Sequence, residues 1–317
     1  HTPLPAEIEE RLLLPADTLL DTGATQLLTY PNNRVIQFLP DGSFILSSAN
    51  DTLLARFDQG QLTHTCQRKG QGPGDLLSPG DMTLDAEGNL LVLDRHKFHL
   101  LRFTPQLAYL GEWALDLHPL RNLWHHPRMG LVLSAHGGHR GQLSLWSINQ
   151  EGAICPFILP HAQALLVGDK TAVTFHAHGL FVLPGAFTTP QIRAHFVPWD
   201  TGTGPQEHLL GNPGSCDPAD FDGIFPHNVA GFSSLTHLPK ALLWEVYLGD
   251  WRRFVLNRPR CYTAHYYTLQ REGQEDLQWI SLENLLPCHT PQGPNQRAVF
   301  LSEEGDLMEW VLKDSKQ

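Results

Sequence analysis

Apolar residues fall in short runs along most of the chain, broken at brief intervals by Gly, Pro, Asn or Asp. Runs of about four to eight residues bounded by turn formers predict β-strands. Residues 36–58 (IQFLPDGSFILSSANDTLLARFD) and 82–104 (MTLDAEGNLLVLDRHKFHLLRFT) superpose without gaps at an offset of 46. Asp41-Gly42 falls on Glu87-Gly88, and Phe44, Ile45 and Leu46 fall on Leu90, Leu91 and Val92. Leu54, Arg56 and Phe57 fall on Leu100, Arg102 and Phe103. Three strands and two turns therefore recur. The acidic-Gly pair between apolar runs predicts a hairpin, because Gly adopts the positive φ that a tight turn between twisted strands demands.

Weaker copies follow from Arg128, His178, Lys240 and Arg297, each an apolar run, a Gly-containing turn and a second run. In the Lys240 copy, KALLWEVYLGDWRRFVL, both runs fall within 240–256. Repeat units of roughly 40 to 50 residues predict an all-β chain, a single closed β-propeller of about six four-stranded blades. The expected organisation is one domain over residues 1–317, with blades in 31–317 and an N-terminal helix and closing strand in 1–30. A closing strand is expected because an uncovered last blade leaves a free edge in water. Thr18–Asp21 and Gln26–Tyr30 are the extended segments available for it, and Ala6–Leu14 (AEIEERLLL) predicts a short helix ended by Pro15.

At Gly70-Gln71-Gly72-Pro73-Gly74-Asp75, followed by Asp81-Met82-Thr83-Leu84-Asp85 and Gly88-Asn89-Leu90-Leu91-Val92-Leu93-Asp94, the chain resembles the bacterial NHL-like six-bladed β-propeller proteins. Those proteins carry a GxGPGEF connection between blades; here Asp75-Leu76 stands where Glu-Phe is usual, and Leu91 where Tyr is usual. The resemblance implies the architecture and an extracytoplasmic, periplasmic or secreted, location. It implies no chemistry, since one scaffold hosts enzymes and binding modules alike. The GQGPGD segment lacks the Lys-Ser/Thr of a phosphate-binding loop and leads into a strand, so a structural connection is expected.

Composition narrows the partners. Thirty-three acidic against 22 basic residues give a net charge of −11, with no basic cluster to track a nucleic-acid backbone. No apolar stretch approaches the roughly 20 residues of a membrane span. The chain opens at His1 without an initiator Met, in keeping with a removed signal peptide, and no Cys near it offers a lipid anchor. Cys66, Cys155, Cys216, Cys261 and Cys288 show no metal-ligand spacing, leaving one or two disulfides open.

Eighteen histidines are scattered through the chain. His118, His161 and His227 each lie beside a Pro ahead of a predicted first strand, and convergence at one mouth of a propeller channel would suit a transition metal. The related amidating lyases hold a metal in broadly that way. His125-His126, His136…His139 and His176…His178 are closer pairs. Asp217, Asp220 and Phe221 are candidate partner contacts in the long insertion 201–226, where binding tends to reside on a rigid scaffold; its alternating acids resemble a Ca2+ loop without matching its spacing. Trp199 and Trp251 sit at turns, where aromatics anchor partners. No nucleophile elbow appears. The leading expectation is a non-catalytic, cofactor-free interaction or scaffold propeller docking on another protein or a multi-subunit, membrane-anchored assembly, with no transmembrane segment of its own. The alternatives are a metal-dependent lyase or hydrolase, and a carbohydrate or peptide binding module.

Overall fold

The structure, a computed structural model, describes residues 8–22, 34–117, 120–126, 129–137, 142–149, 152–159, 161–162, 165–166, 172–176, 178–183, 193–200, 202–209, 229–238, 241–249, 262–271, 277–281, 286–288, 297–302 and 304–312. It begins with β1 (Ile8–Leu14) and α1 (Ala16–Leu20). The first blade is β2 (Arg34–Phe38), β3 (Phe44–Ser48), β4 (Leu53–Asp58) and β5 (Gln61–Cys66), and the second is β6 (Pro79–Leu84), β7 (Leu90–Asp94), β8 (His99–Phe103) and β9 (Tyr109–Ala114). The third is β10 (Leu120–His126), β11 (Gly130–Gly137), β12 (Gln142–Ile148) and β13 (Ile154–Pro156). Then come β14 (Ala172–His176), β15 (Gly179–Leu183), β16 (Arg193–Pro198) and β17 (Gln206–Leu209), followed by β18 (Val229–Leu238), β19 (Ala241–Gly249), β20 (Tyr262–Arg271) and β21 (Leu277–Ser281). The last blade is β22 (Leu286–Cys288), β23 (Ala298–Leu301), β24 (Leu307–Leu312) and β1. Among the described residues these make six four-stranded antiparallel sheets, the all-β propeller fold expected from the repeat.

The chain divides into two compact units, 7–158 with 284–317, and 1–6 with 159–283. The first holds the first three blades and the last. There β2 touches both β22 and β6, and β6 touches β10, so first strands adjoin from blade to blade. The 46-residue offset survives in space: β3 and β7 are both second strands of their blades, β4 and β8 both third strands, and Gly42 and Gly88 close the equivalent turns at φ 87° and 81°. Burial follows strand position. β3 and β7 are buried along their whole length because neighbouring blades cover both faces, whereas the fourth strand β5 is exposed at most positions. Phe38, Phe44 and Phe57 stack between the last blade and the first, with Leu14, Val299 and Leu307 in the same core.

The other unit contains β14–β17 and β18–β21, with β14 against β18. Phe181 and Phe196 pack at 4.8 Å across β15 and β16. One expectation is corrected here: the third strand of this blade, paired with β19, is Tyr262–Arg271, in register Ala241↔Arg271 to Gly249↔Tyr262, while 251–256, read as that strand, lie outside the described residues. The aromatic and β-branched residues of YTAHYYTLQR suit a central strand.

The N-terminus corrects a second expectation. A closing strand exists, but it is Ile8–Leu14, the segment read as a helix, while Thr18–Leu20 are helical. Nine residues form at best a marginal isolated helix, whereas the free edge of β24 offers a full ladder, Ile8↔Leu312 to Leu14↔Leu307. A register shift between Leu12 and Leu14 turns Leu14 into the core, where it is fully buried, worth about 2 kcal/mol. Glu10 accepts a hydrogen bond from Trp310 Nε1 at 3.1 Å, and Asp306 accepts one at 2.8 Å from the Ala16 N–H that opens α1. Gln26–Tyr30 lie outside the described residues.

Glu309, opposite Arg11 on this closing pair, is buried beside Arg297 at 3.2 Å. Burial raises its carboxyl above the ordinary range against the pull of Arg297 and Arg11. A raised folded value means a stabilising contribution present at low pH and lost as pH rises through that value. Between about pH 4 and pH 7, the melting temperature of Glu309→Gln should therefore rise relative to the native chain; scanning fluorimetry across that range reads it, and a constant difference would contradict it.

Candidate functional site

The Gly70–Asp75 connection is structural. It leaves β5 and enters β6, held by the Gly70 N–H on Leu76 O at 3.1 Å and the Leu76 N–H on Arg68 O at 2.7 Å. Lys97, almost fully buried, donates to Gly72 O at 2.7 Å and to Glu112 Oε2 at 2.7 Å; the other Glu112 oxygen pairs with His99 Nδ1 at 3.0 Å. At Gly74, φ 74°, an added Cβ would lie 2.8 Å from the Tyr109 ring. The glycine N–H groups that could cradle a phosphate are thus engaged within the protein, Gly70 by Leu76 O, Gly72 by Asp75 Oδ2 at 3.1 Å and Gly74 by Glu112 Oε2 at 3.3 Å.

A cleft of about 330 Å³ opens instead between the second and third blades. It lies where the β6–β7 turn faces the β10–β11 and β12–β13 turns. Its floor is the end of the interblade core: Leu91, Leu100, Leu131, Ile148 and the partly buried Trp113. Its rim carries Asp85, Glu87, Arg102, His125 and Asn149.

The Asp85 turn is built by its own side chain. Asp85 Oδ1 accepts the Glu87 N–H at 3.0 Å and the Asn89 N–H at 2.8 Å, a local arrangement Asp readily forms. Its other oxygen accepts Arg102 Nε at 2.7 Å, and Arg102 Nη2 donates to Glu87 Oε2 at 3.2 Å. One guanidinium therefore bridges two carboxylates. Glu87 is 63% exposed and Asp85 12%, so charge is offered at the mouth and anchored beneath it. Burial holds the His125 imidazole below its usual range, against the opposing pull of Asp85 and Glu87, and keeps it neutral. Its neighbour His126 is buried against Trp124 at 4.9 Å, with Nδ1 accepting the Met129 N–H at 3.1 Å. Successive strand residues point to opposite faces, so these two do not chelate together.

The preceding junction shows why this one is open. Between the first and second blades, Leu39 occupies the turn position of Asp85, and Leu107 occupies that of Gly152; both leucines are buried in the same core. Arg56, the counterpart of Arg102, reaches across to Pro105 O at 3.1 Å while holding Asp41 at 2.9 Å. At the second junction Leu39 is replaced by Asp85 and Leu107 by Gly152, over whose bare backbone the Trp113 ring lies. One plug, Leu39, is missing, the Trp113 ring takes the place of the other, and the arginine is drawn back to its own blade. The signal was legible in the sequence as departures from the repeat, though only the turn geometry aligns Leu107 with Gly152.

Of the residues singled out from sequence, His118, His227, Asp217, Asp220, Phe221 and Trp251 lie outside the described residues. His161 is exposed on a turn after Leu159, well ahead of β14. Trp199 follows β16, its N–H on His178 O at 3.1 Å, and is partly buried. Among the described residues no three His, Cys, Asp or Glu side chains converge as a metal site. Cys66 and Cys155 are free thiols. Cys216 and Cys261 are not among the described residues. No described helix is long and apolar enough to cross a membrane.

A family model described as a 6-bladed β-propeller matches residues 19–144. Among curated proteins none matches the chain in sequence. In solved structures the chain is similar to a Bacteroides fragilis protein that carries the description of an exported protein (10% identity, TM-score 0.61, covering 99% of this chain and 98% of that one). It is also similar to the virginiamycin B lyase of Staphylococcus aureus (10% identity, TM-score 0.52, covering 96% and 99%). A third is an auxiliary nutrient binding protein of Bacteroides ovatus (9% identity, TM-score 0.50, covering 90% and 70%). Identities this low speak for the fold alone.

Proposed function

We propose that the protein is an extracytoplasmic, non-catalytic binding propeller that docks on another protein, or on a membrane-anchored assembly, through the turn face bearing the Arg102 cleft. The observation that carries this reading is the contrast between two repeats of one chain. An arginine that seals the first junction lines an open, aromatic-floored cleft at the second. Binding is favoured over acid–base chemistry because both carboxylates of the cleft are engaged by Arg102. Export accords with the description of the Bacteroides fragilis neighbour.

Affinity capture of the tagged full chain from cross-linked native cells tests it. A partner in near-stoichiometric amount is expected, with recovery reduced about tenfold or more by Trp113→Ala, since buried aromatics dominate interface energetics. Recovery of no stoichiometric partner from either membrane or soluble fractions would overturn the proposal.

A further inference from the structure

We infer that the cleft receives one basic side chain, lysine or arginine, projecting from the partner polypeptide. This rests on the docking reading above. Charge comes first. Asp85 and Glu87 face a single guanidinium, leaving an excess negative charge that the first junction lacks, where Leu39 stands in place of Asp85 and Asp41 alone pairs with Arg56. A neutral His125 does not cancel that excess. An anionic ligand would meet a guanidinium already engaged by two carboxylates, and is disfavoured for that reason.

Shape points the same way. A side chain laid along the cleft can cover Leu91, Leu100, Leu131 and Ile148 with its methylene stem and turn its charged head to the rim carboxylates. Trp113 adds a ring beside which a cation gains further attraction. The vacated place corresponds to one side chain of the repeat: the turn residue Leu39 of the sealed junction has Asp85 as its counterpart here, while the Trp113 ring over Gly152 fills the place of Leu107. An incoming side chain would take the place that the chain fills with its own Leu39 one blade earlier.

The test titrates the full chain, by ligand-observed NMR or calorimetry, with the blocked pentapeptide Gly-Gly-Arg-Gly-Gly, its norleucine counterpart, and free agmatine. The arginine peptide is expected to bind near the millimolar range, about tenfold or more tighter than the norleucine peptide, and to weaken as ionic strength rises. Glu87→Gln should weaken it several-fold. Asp85 is left in place because it builds the turn, and Glu304→Gln, an exposed carboxylate on the last blade, should change nothing. Equal binding of the norleucine peptide, or indifference to Glu87→Gln in a variant that melts like the native chain, would overturn the inference. Agmatine binding as tightly as the peptide would also overturn it, in favour of a free amine. The two readings fail separately: a partner captured equally well by the native chain and by Glu87→Gln, but lost with Trp113→Ala, removes the basic side chain and keeps the docking face. Peptide binding as expected with no captured partner removes docking on a protein.

Discussion

Asp94→Ala should destabilise the protein by about 4 kcal/mol, among the largest effects of any single substitution in the second blade. Asp94 is completely buried at the end of β7. Its Oδ2 accepts the Leu77 N–H at 2.7 Å, and its Oδ1 accepts the Ser78, His96 and Lys97 N–H groups at 2.9 to 3.1 Å. One carboxylate thus ties the end of the interblade connection to the β7–β8 turn. Alanine leaves four backbone donors without that acceptor, and buried donors cost about 1 to 3 kcal/mol each when nothing replaces the bond. Some will find water, which is why the sum is not the prediction. Asp94→Asn keeps one acceptor oxygen and should recover roughly half of the loss. Urea unfolding measures the stability. Hydrogen exchange at Leu77 and Lys97 localises the effect, and amides there that exchange no faster in the alanine variant would refute the account.

The blade pattern was legible because strands inside a repeat declare themselves locally. Asp41-Gly42 and Glu87-Gly88 turn where the offset puts them, and the runs after them are second strands. The closing strand was foreseen as a need and assigned to the wrong residues. IEERLLL has the composition of a helix, and only the bare edge of β24, at the other end of the chain, makes it a strand. The missed third strand of the fifth blade has a similar cause. The Gly249-Asp250 pair at the end of β19 looks in sequence like a tight turn, yet β20 begins only at Tyr262. Long-range partners were invisible for the same reason: nothing in the order of residues puts Lys97 beside Gly72, or Trp113 over Gly152. The cleft itself was half legible. His125 stood out as part of a pair and Arg102 as part of the repeat, but the substitution of Asp85 for Leu39 signals an opening only once the sealed junction beside it is seen.

Glu112→Ala is the second large effect, expected at about 3 kcal/mol, and it carries a pH signature that separates it from Asp94→Ala. The Lys97 side chain is 2% exposed and that of Glu112 16%, so removing the carboxylate strands a buried ammonium on the carbonyls of Gly72 and Asp75. Burial pushes the Glu112 carboxyl up, but the hydrogen bond from Lys97, the Gly74 N–H at 3.3 Å and His99 outweigh it and hold the group below the ordinary carboxylate range. A depressed folded value means stability present above the unfolded value, about 4.3, and lost as pH falls through the folded one. The native chain should therefore lose stability below about pH 4 more steeply than Glu112→Ala, and the two melting curves should converge in acid. Lys97→Met removes the cation and leaves Glu112 buried with weaker partners. In the double variant neither charge is stranded, so its loss should fall short of the sum of the singles by about 1 to 2 kcal/mol. Strict additivity would mean that the pair does not act as a unit. The Gly70–Asp75 connection would then owe its position to its own backbone bonds and to Asp94, with the ion pair beneath it contributing no more than a surface pair does.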